Sequence, residues 1–147
     1  MKKRSLRLKK ILSVAEAEER SLGMRTGRAQ RKMLEENRKL GELNAYRENY
    51  AAKARSANAL SSAHFKDYQN FLSRLDQAVR SQQQVVNDCA KNLELHRRRW
   101  LVKRQRVESL ERVRERYREQ ELAHEDRIEQ RKLDDLPGAA SPYDKDQ

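Results

Sequence analysis

Proline, glycine, cysteine and aromatic residues are all scarce in this 147-residue chain. Both prolines, Pro137 and Pro142, lie near the C-terminal end, so residues 1–136 contain none of the residue that breaks helix interiors. Four glycines supply little turn chemistry for a fold of many short elements. The single cysteine, Cys89, excludes an internal disulfide framework and fits a reducing compartment. These scarcities favour long helices.

Long apolar runs are also missing. The basic start of the chain resembles the n-region of a signal peptide, but Glu16, Glu18 and Glu19 interrupt any apolar core that would follow. No stretch is long enough to predict a transmembrane helix. The sequence therefore predicts a soluble, cytoplasmic protein.

Charge is what the chain has in abundance. Charged residues make up 39% of the sequence, the net charge is +11 and the mean hydropathy is −1.17. The positive balance predicts attraction to acidic partners, whether nucleic acid, anionic lipid or acidic protein, without choosing among them. Such polarity is also typical of intrinsic disorder, which only a regular apolar pattern can reject.

The second half of the chain has that pattern. Steps of three and four residues from Phe65 mark a seam of fourteen positions, eleven of them apolar. They are Phe65, Tyr68, Leu72, Leu75, Val79, Gln82, Val86, Cys89, Leu93, His96, Trp100, Lys103, Val107 and Leu110. This 3.5-residue repeat is the signature of a left-handed coiled coil.

The first half has a weaker seam, in which ten of fourteen positions are apolar and several are only alanine. Its positions are Leu8, Leu12, Ala15, Glu19, Leu22, Thr26, Ala29, Met33, Glu36, Leu40, Leu43, Arg47, Tyr50 and Ala54. Gly23, Gly27 and Gly41 fall within this helix, and each costs roughly 1 kcal/mol relative to alanine. The first helix should be the less stable of the two.

The small polar residues between the seams predict a turn, and a short connection between two striped helices gives an antiparallel hairpin. We therefore predict an all-α fold, a long two-helix antiparallel coiled-coil rod. A single domain, residues 1–136, would have helices over about 4–55 and 63–135, joined by a turn at about 56–62, and residues 137–147 would form a disordered tail. A parallel self-dimer is the main structural alternative, and the interruption at 56–64 argues against it.

The two predicted helices are unequal in length. If the chain turns near residues 58–61, residue 1 lies beside roughly residues 115–120, and the second helix continues alone. The apolar seam fades at about the same place, because only Tyr117 and Ile128 are apolar among its next six positions. This overhang is either a frayed end or a segment that docks elsewhere.

No catalytic or metal site is visible in the sequence. There is no phosphate-binding glycine loop and no metal-ligand spacing, and the three histidines are scattered. The run "HRRRWLVKRQR" at 96–106 is basic, but Trp100 is a seam residue, and a basic-zipper DNA reader would place its basic region before the heptads. The sequence predicts a non-enzymatic protein with no metal and no cofactor.

Five of the eight aromatic residues lie between Tyr46 and Phe71. In the heptad register Leu43, Tyr50 and Leu75 are seam positions, whereas Tyr46, Phe71 and Ala78 are at g. The g positions of two antiparallel helices line one edge of the pair. Tyr46 and Phe71 should therefore lie together in an exposed apolar strip, which marks a protein contact, although a wider core near the turn is the alternative.

Several segments together resemble the flagellar export protein FliJ family. They are "LNAYRENY" at 43–50, "YQNFLSRLDQA" at 68–78, "RRRWLVKRQRVESLERV" with its lone tryptophan, and "EQRKLDDL" near the end. The order and spacing of these segments carry the resemblance, which spans residues 5–136. Lys39 and Gln82 depart from the family pattern, where a glutamine and a histidine stand.

The resemblance implies a soluble component of the flagellar type III export apparatus, needed for motility and chemotaxis. Such a protein inserts into the hexameric export ATPase, promotes its assembly and activity, contacts the cytoplasmic linker of the export gate protein and binds export chaperones. It would sit in the cytoplasm, at the inner-membrane export apparatus through protein contacts only, and would bind no nucleic acid.

Carried over residue by residue, the resemblance assigns the export-gate surface to Leu43, Tyr46, Tyr50, Phe71, Leu75 and Ala78. The family also resembles the coiled-coil stalk of a rotary ATPase, and in that analogy the terminal end of the hairpin enters the ring. The ATPase surface would then be Arg4, Arg7, Arg127 and Arg131. Two alternatives of other classes stay open: a basic hairpin that binds nucleic acid or the ribosome, and a homo-oligomeric coiled-coil scaffold.

Overall fold

Two long helices make up almost all of the computed structural model, which describes residues 3–56 and 62–137. Helix α1 is Arg4–Ser56 and helix α2 is Ser62–Asp134. The described residues include no strand. The prediction of an all-α protein with two long helices, the second longer, is confirmed. The predicted turn falls mostly on residues 57–61 and the predicted disordered tail on 138–147, both outside the described residues.

The end of α2 follows from its sequence. The amide of Asp135 still donates to the carbonyl of Arg131 at 3.0 Å, and the amide of Leu136 donates to Leu133 at 3.3 Å in a tighter turn. Pro137 follows, and the residue before a proline is disfavoured in helical conformation. The helical conformation therefore ends three residues before Pro137.

Each helix contributes one segment to each of two compact units. Unit 1 contains Met1–Glu19 and Lys103–Gln147, and unit 2 contains Arg20–Val102. In unit 1, Ser5 contacts Glu121 and Glu18 contacts Lys103. In unit 2, Glu36 contacts Gln82 and Tyr50 stacks on Tyr68. Within each unit, contacting pairs that lie further along α1 lie further back along α2, so the two helices are antiparallel in each unit.

The core of each unit follows the predicted seam. Twelve of the fourteen seam positions predicted for α2 run from Leu72 to Leu110, and all twelve are buried or half-buried. The most buried apolar residues all lie on the seams: Leu12, Ala15 and Val107 in unit 1, and Ala29, Leu40, Leu75, Val86 and Leu93 in unit 2. Two seam positions, Arg47 and Phe65, are exposed instead.

Polar contacts extend the pairing in unit 1 beyond the apolar seam. Lys3 forms an ion pair with Glu125, and buried Ser5 donates its hydroxyl to Glu121 at 2.5 Å. The prediction that pairing with α1 ends near residues 115–120 of α2 was therefore wrong by several residues, because Glu121 and Glu125 are still in contact with α1. The apolar pattern fades there because carboxylates, not apolar side chains, hold the first turn of α1.

Glu121 caps the start of α1 from the other helix. Its carboxylate accepts the Ser5 hydroxyl and also the Ser5 amide at 3.2 Å, one of the amides that a helix leaves without an intrahelical acceptor. The hydroxyl hydrogen bond is the main cause that holds the pKa of Glu121 below its ordinary value of 4.5. The ionised form is therefore the one that the fold favours.

This cap predicts a pH dependence of stability. Because the folded pKa of Glu121 is depressed, its contribution is present above pH 4.5 and is lost as the pH falls through the folded pKa. Glu121→Gln should lower the unfolding temperature at pH 7 and reduce the loss that the wild type shows between pH 5 and 3. Thermal unfolding followed by circular dichroism measures both. Exposed Glu119→Gln is the control, and the idea fails if the two variants behave alike.

Three helical glycines differ in what surrounds them. A Cβ on Gly23 would lie 3.1 Å from Nε1 of Trp100, whereas a Cβ on Gly27 or Gly41 would meet nothing within 4 Å. Trp100 therefore lies against α1 at Gly23, a position where α1 has no side chain. None of the three has a positive φ that would require glycine.

Alanine at these glycines should therefore give unequal results. Gly27→Ala and Gly41→Ala are expected to stabilise the protein by about 1 kcal/mol each, because alanine reduces the conformational entropy of the unfolded chain. Gly23→Ala should gain less or lose stability, since the Trp100 indole must move. Urea unfolding of the three variants measures this, and equal gains at all three sites would show that the indole does not require Gly23.

Within the residues that the structure describes, neither helix contains a segment long and apolar enough to cross a membrane.

Candidate functional site

Four aromatic side chains from the two helices form a cluster in unit 2. Tyr46 and Tyr50 lie one turn apart on α1, and Tyr68 and Phe71 lie on α2. The Tyr46 and Phe71 ring centroids are 6.2 Å apart at 77°, an edge-to-face contact, and the Tyr50 ring lies 4.5 Å from Phe71 and 5.3 Å from Tyr68. The prediction that Tyr46 and Phe71 lie together is confirmed.

Exposure separates the residues predicted for the export-gate surface. Tyr46 is 54% exposed, whereas Leu75 is 8% exposed and belongs to the core of unit 2. Four are half-buried: Leu43, Tyr50, Phe71 and Ala78. Tyr46 is thus the large side chain of this set that a partner could reach without any rearrangement.

The heptad position of Tyr46 explains its exposure. It precedes Arg47 of the α1 seam, as Phe71 precedes Leu72 of the α2 seam, so both are g positions. A pair of helices covers its a and d side chains but only part of those at g. Phe71 is more covered because the Tyr50 ring packs on it.

Charged and polar residues fix the helices beside the aromatic cluster. Nε of Arg47 lies 2.6 Å from a carboxylate oxygen of Asp76. The Gln82 side-chain amide donates to the Glu36 carbonyl at 2.9 Å and to the Glu36 carboxylate at 2.7 Å. The latter bond is the main cause that lowers the pKa of Glu36. Gln82, one of the two departures from the family pattern, therefore has a structural partner.

Sequence reasoning missed two features of this region. Val85, the next g position after Ala78, is 38% exposed and extends the apolar edge. Asp76 was not singled out, although it anchors the exposed seam residue Arg47. The g spacing could have found Val85. No spacing signal marks Asp76, because a long arginine side chain can reach several acceptors.

The arginines predicted for the ATPase surface all belong to unit 1. The Arg4 guanidinium lies 5.6 Å from the centroid of the Tyr117 ring, within range of a cation–π interaction. Arg7 is exposed near it in sequence. Arg127 and Arg131 lie one turn apart in the exposed last part of α2. The structure thus shows two pairs, one on each helix, with Arg4 held by an aromatic ring.

Neither surface has the arrangement of a metal centre. Among residues 3–56 and 62–137, no three histidine, cysteine, aspartate or glutamate side chains are grouped so that they could hold an ion. The chemistry that the aromatic cluster offers is apolar contact with a partner, and that of the arginines is contact with carboxylates or other anions.

Comparison with known proteins agrees with the resemblance drawn from the sequence. The family model described as Flagellar FliJ protein matches residues 3–140, nearly the whole chain. No curated protein and no solved structure matches the chain. The match includes both helices and the aromatic cluster, and on this ground the chain belongs to the flagellar FliJ protein family, whose members are non-catalytic components of the flagellar export apparatus.

Proposed function

We propose that the chain couples the hexameric export ATPase to the export gate. In this proposal it inserts into the ATPase ring, promotes ring assembly and activity, contacts the cytoplasmic linker of the gate protein and binds export chaperones. It reaches the inner-membrane export apparatus from the cytoplasm through these protein contacts. Membership of the FliJ family supports the proposal in general, and the exposed aromatic edge supports the gate contact in particular.

The exposure of Tyr46 is the observation that best supports the proposed gate contact. Leu40 and Leu75, which lie near it along the helices, are at most 8% exposed, yet Tyr46 leaves more than half of its surface in solvent. The ring is also held in place by its edge-to-face contact with Phe71. An aromatic side chain that is already positioned loses little entropy on binding, and such residues dominate protein interfaces.

The arginines support the contact with the ATPase. Arg127 and Arg131 are exposed on one face of α2, and Arg4 and Arg7 are exposed on α1. Guanidinium groups pair with carboxylates through two parallel hydrogen bonds, which suits them to an acidic rim in the ring. The four residues would then serve a different partner from the one that Tyr46 contacts.

A bridging experiment tests the proposal. The cytoplasmic region of the gate protein is immobilised, and capture of the export ATPase is measured with and without this chain. We expect capture only when the chain is present, and a rise in ATP hydrolysis when the chain is added to the ATPase alone. Arg127→Glu with Arg131→Glu should reduce the capture of the ATPase but not the capture of the chain itself.

Exposed Arg74→Glu with Arg80→Glu is the matched control, since it makes the same charge change on the same helix. It should leave both captures unchanged. If the chain binds neither protein, or if the two double variants lose the ATPase equally, the coupling function with these arginines is wrong.

A further inference from the structure

One edge of unit 2 carries a row of cations that continues from the aromatic cluster. Counting back from Tyr46 in heptads, the g positions of α1 are Lys39, Lys32 and Arg25, and all three are exposed. The g positions of α2 along the same edge are Phe71, Ala78, Val85, Asn92 and Arg99. Together with Tyr46 these are nine residues, which we call the g edge. It is aromatic at Tyr46 and Phe71. Beyond them its α1 positions are all cationic, whereas its α2 positions are Ala78, Val85 and Asn92 before the cation Arg99.

These cations are poorly neutralised within the protein. No g position between Arg25 and Tyr46, or between Phe71 and Arg99, is acidic. Arg25 and Arg99 form no ion pair with any residue that the structure describes. Lys39 reaches Glu36 on its own helix at 3.4 Å, and Lys32 acts on the same carboxylate. Hence most of the positive charge of this edge faces solvent.

The opposite edge of unit 2 has a different character. Its e positions are mostly small or neutral polar residues: Gly23, Gln30, Asn37 and Asn44 on α1, and Asp76, Gln83, Ala90 and Arg97 on α2. Asp76 is already paired with Arg47. The cations are therefore concentrated on the edge that bears Tyr46, and general solubility does not account for a difference between two edges of the same pair.

We propose that the g edge of unit 2 binds an acidic helix of a partner protein, which places an apolar end against Tyr46 and Phe71 and a row of carboxylates along Lys39, Lys32 and Arg25. This deepens the proposed gate contact and rests on it for the identity of the partner. The aromatic end supplies affinity, and the charged row sets the direction and register of the bound helix.

The spacing of the cations on α1 favours an acidic helix over a lipid surface or a nucleic acid as the ligand. Successive g positions on α1 are seven residues apart, which is about 10.5 Å at 1.5 Å per residue. A third helix with acidic residues at heptad spacing matches this repeat over three or more positions. A lipid surface binds a helix that has a broad apolar face, whereas the apolar side chains of this edge form only a narrow row, Phe71, Ala78 and Val85, beside the cations of α1. Base stacking would require exposed aromatic side chains among the cations. None of the g positions from Lys39 back to Arg25, or from Ala78 to Arg99, is aromatic.

Charge reversal on the g edge tests the proposal. Arg25→Glu with Lys32→Glu is compared with Arg28→Glu with Arg31→Glu, two exposed arginines of the same helix that are not at g positions. Binding of the full chain to the purified cytoplasmic region of the gate protein is measured by calorimetry at 50 and 300 mM NaCl. The g-edge variant should bind roughly tenfold more weakly at low salt and lose most of the salt dependence, while the control changes little.

The outcomes separate this inference from the proposed function. Equal weakening in the two double variants would show that only net charge matters and would overturn the inference. If Tyr46→Ala abolishes binding while the g-edge variant binds normally, the gate contact stands and the acidic helix is wrong. If the wild type does not bind the gate region, both fail. Binding to single-stranded RNA or to phosphatidylglycerol vesicles that depends on the g edge more than gate binding does would also overturn it.

Discussion

Replacing Leu93 with alanine is expected to lower the free energy of unfolding by about 2–3 kcal/mol, because the change leaves a void in the seam of unit 2. Leu93 is 8% exposed, and Ala29 and Val86 on the same seams are buried to a similar degree. A pair of helices has no second layer that could collapse into the space. For a chain of this length the unfolding temperature should fall by roughly 5–10 °C, measured by circular dichroism at 222 nm.

Leu95 provides a matched control for that substitution. It lies two residues further along α2 and is 48% exposed. Leu95→Ala removes the same atoms from the solvent side, so it should change the free energy of unfolding by less than about 0.5 kcal/mol. Similar losses from Leu93→Ala and Leu95→Ala would contradict the burial of the seam.

Replacing Tyr46 with alanine should have the opposite profile, with a large loss of function and a small loss of stability. Removing an exposed, positioned aromatic from the centre of an interface costs about 2 kcal/mol or more of binding free energy, which is roughly thirtyfold in affinity. The edge-to-face contact with Phe71 contributes about 0.5–1.5 kcal/mol to the fold. A strain that carries Tyr46→Ala should therefore make normal amounts of the protein and swim poorly in soft agar.

Two further substitutions show which property of Tyr46 matters. Tyr46→Phe keeps the ring and should retain motility if apolar contact is what the partner uses. Phe65→Ala removes another exposed aromatic of unit 2, 49% exposed at the start of α2, and should also retain motility. Normal swimming by the Tyr46→Ala strain, with the protein present, would show that this ring is not part of the contact.

Most of the fold could be predicted because the apolar period reports burial directly. Leu75, Val86 and Leu93 were placed on the seam by their spacing alone, and the structure buries all three. The exposure of Tyr46 followed from the same register, since a two-helix pair leaves g positions partly open. The family resemblance then suggested the export gate protein as the partner of that exposed ring, which periodicity by itself could not.

Most of what escaped prediction is polar. Ser5 and Glu121 pair the start of α1 with α2 through hydrogen bonds, and such pairs leave no apolar repeat to count. Arg47 occupies a seam position yet is exposed, because its long side chain reaches Asp76. The contact of Trp100 with α1 at Gly23 was missed for a different reason. In a sequence a glycine indicates a flexible position, whereas here it leaves space for the indole.

The fold and the proposed gate contact depend on different residues of one small region. Leu75 and Tyr46 are both on the predicted gate surface, but one is 8% and the other 54% exposed. Calorimetric affinity for the cytoplasmic region of the gate protein, measured well below the unfolding temperature of each variant, separates them. Tyr46→Ala should lose at least tenfold in affinity and little stability, whereas Leu75→Ala should lose stability and keep its affinity within about threefold. Equal affinities for wild type and Tyr46→Ala, or a larger loss for Leu75→Ala than for Tyr46→Ala, would contradict the account.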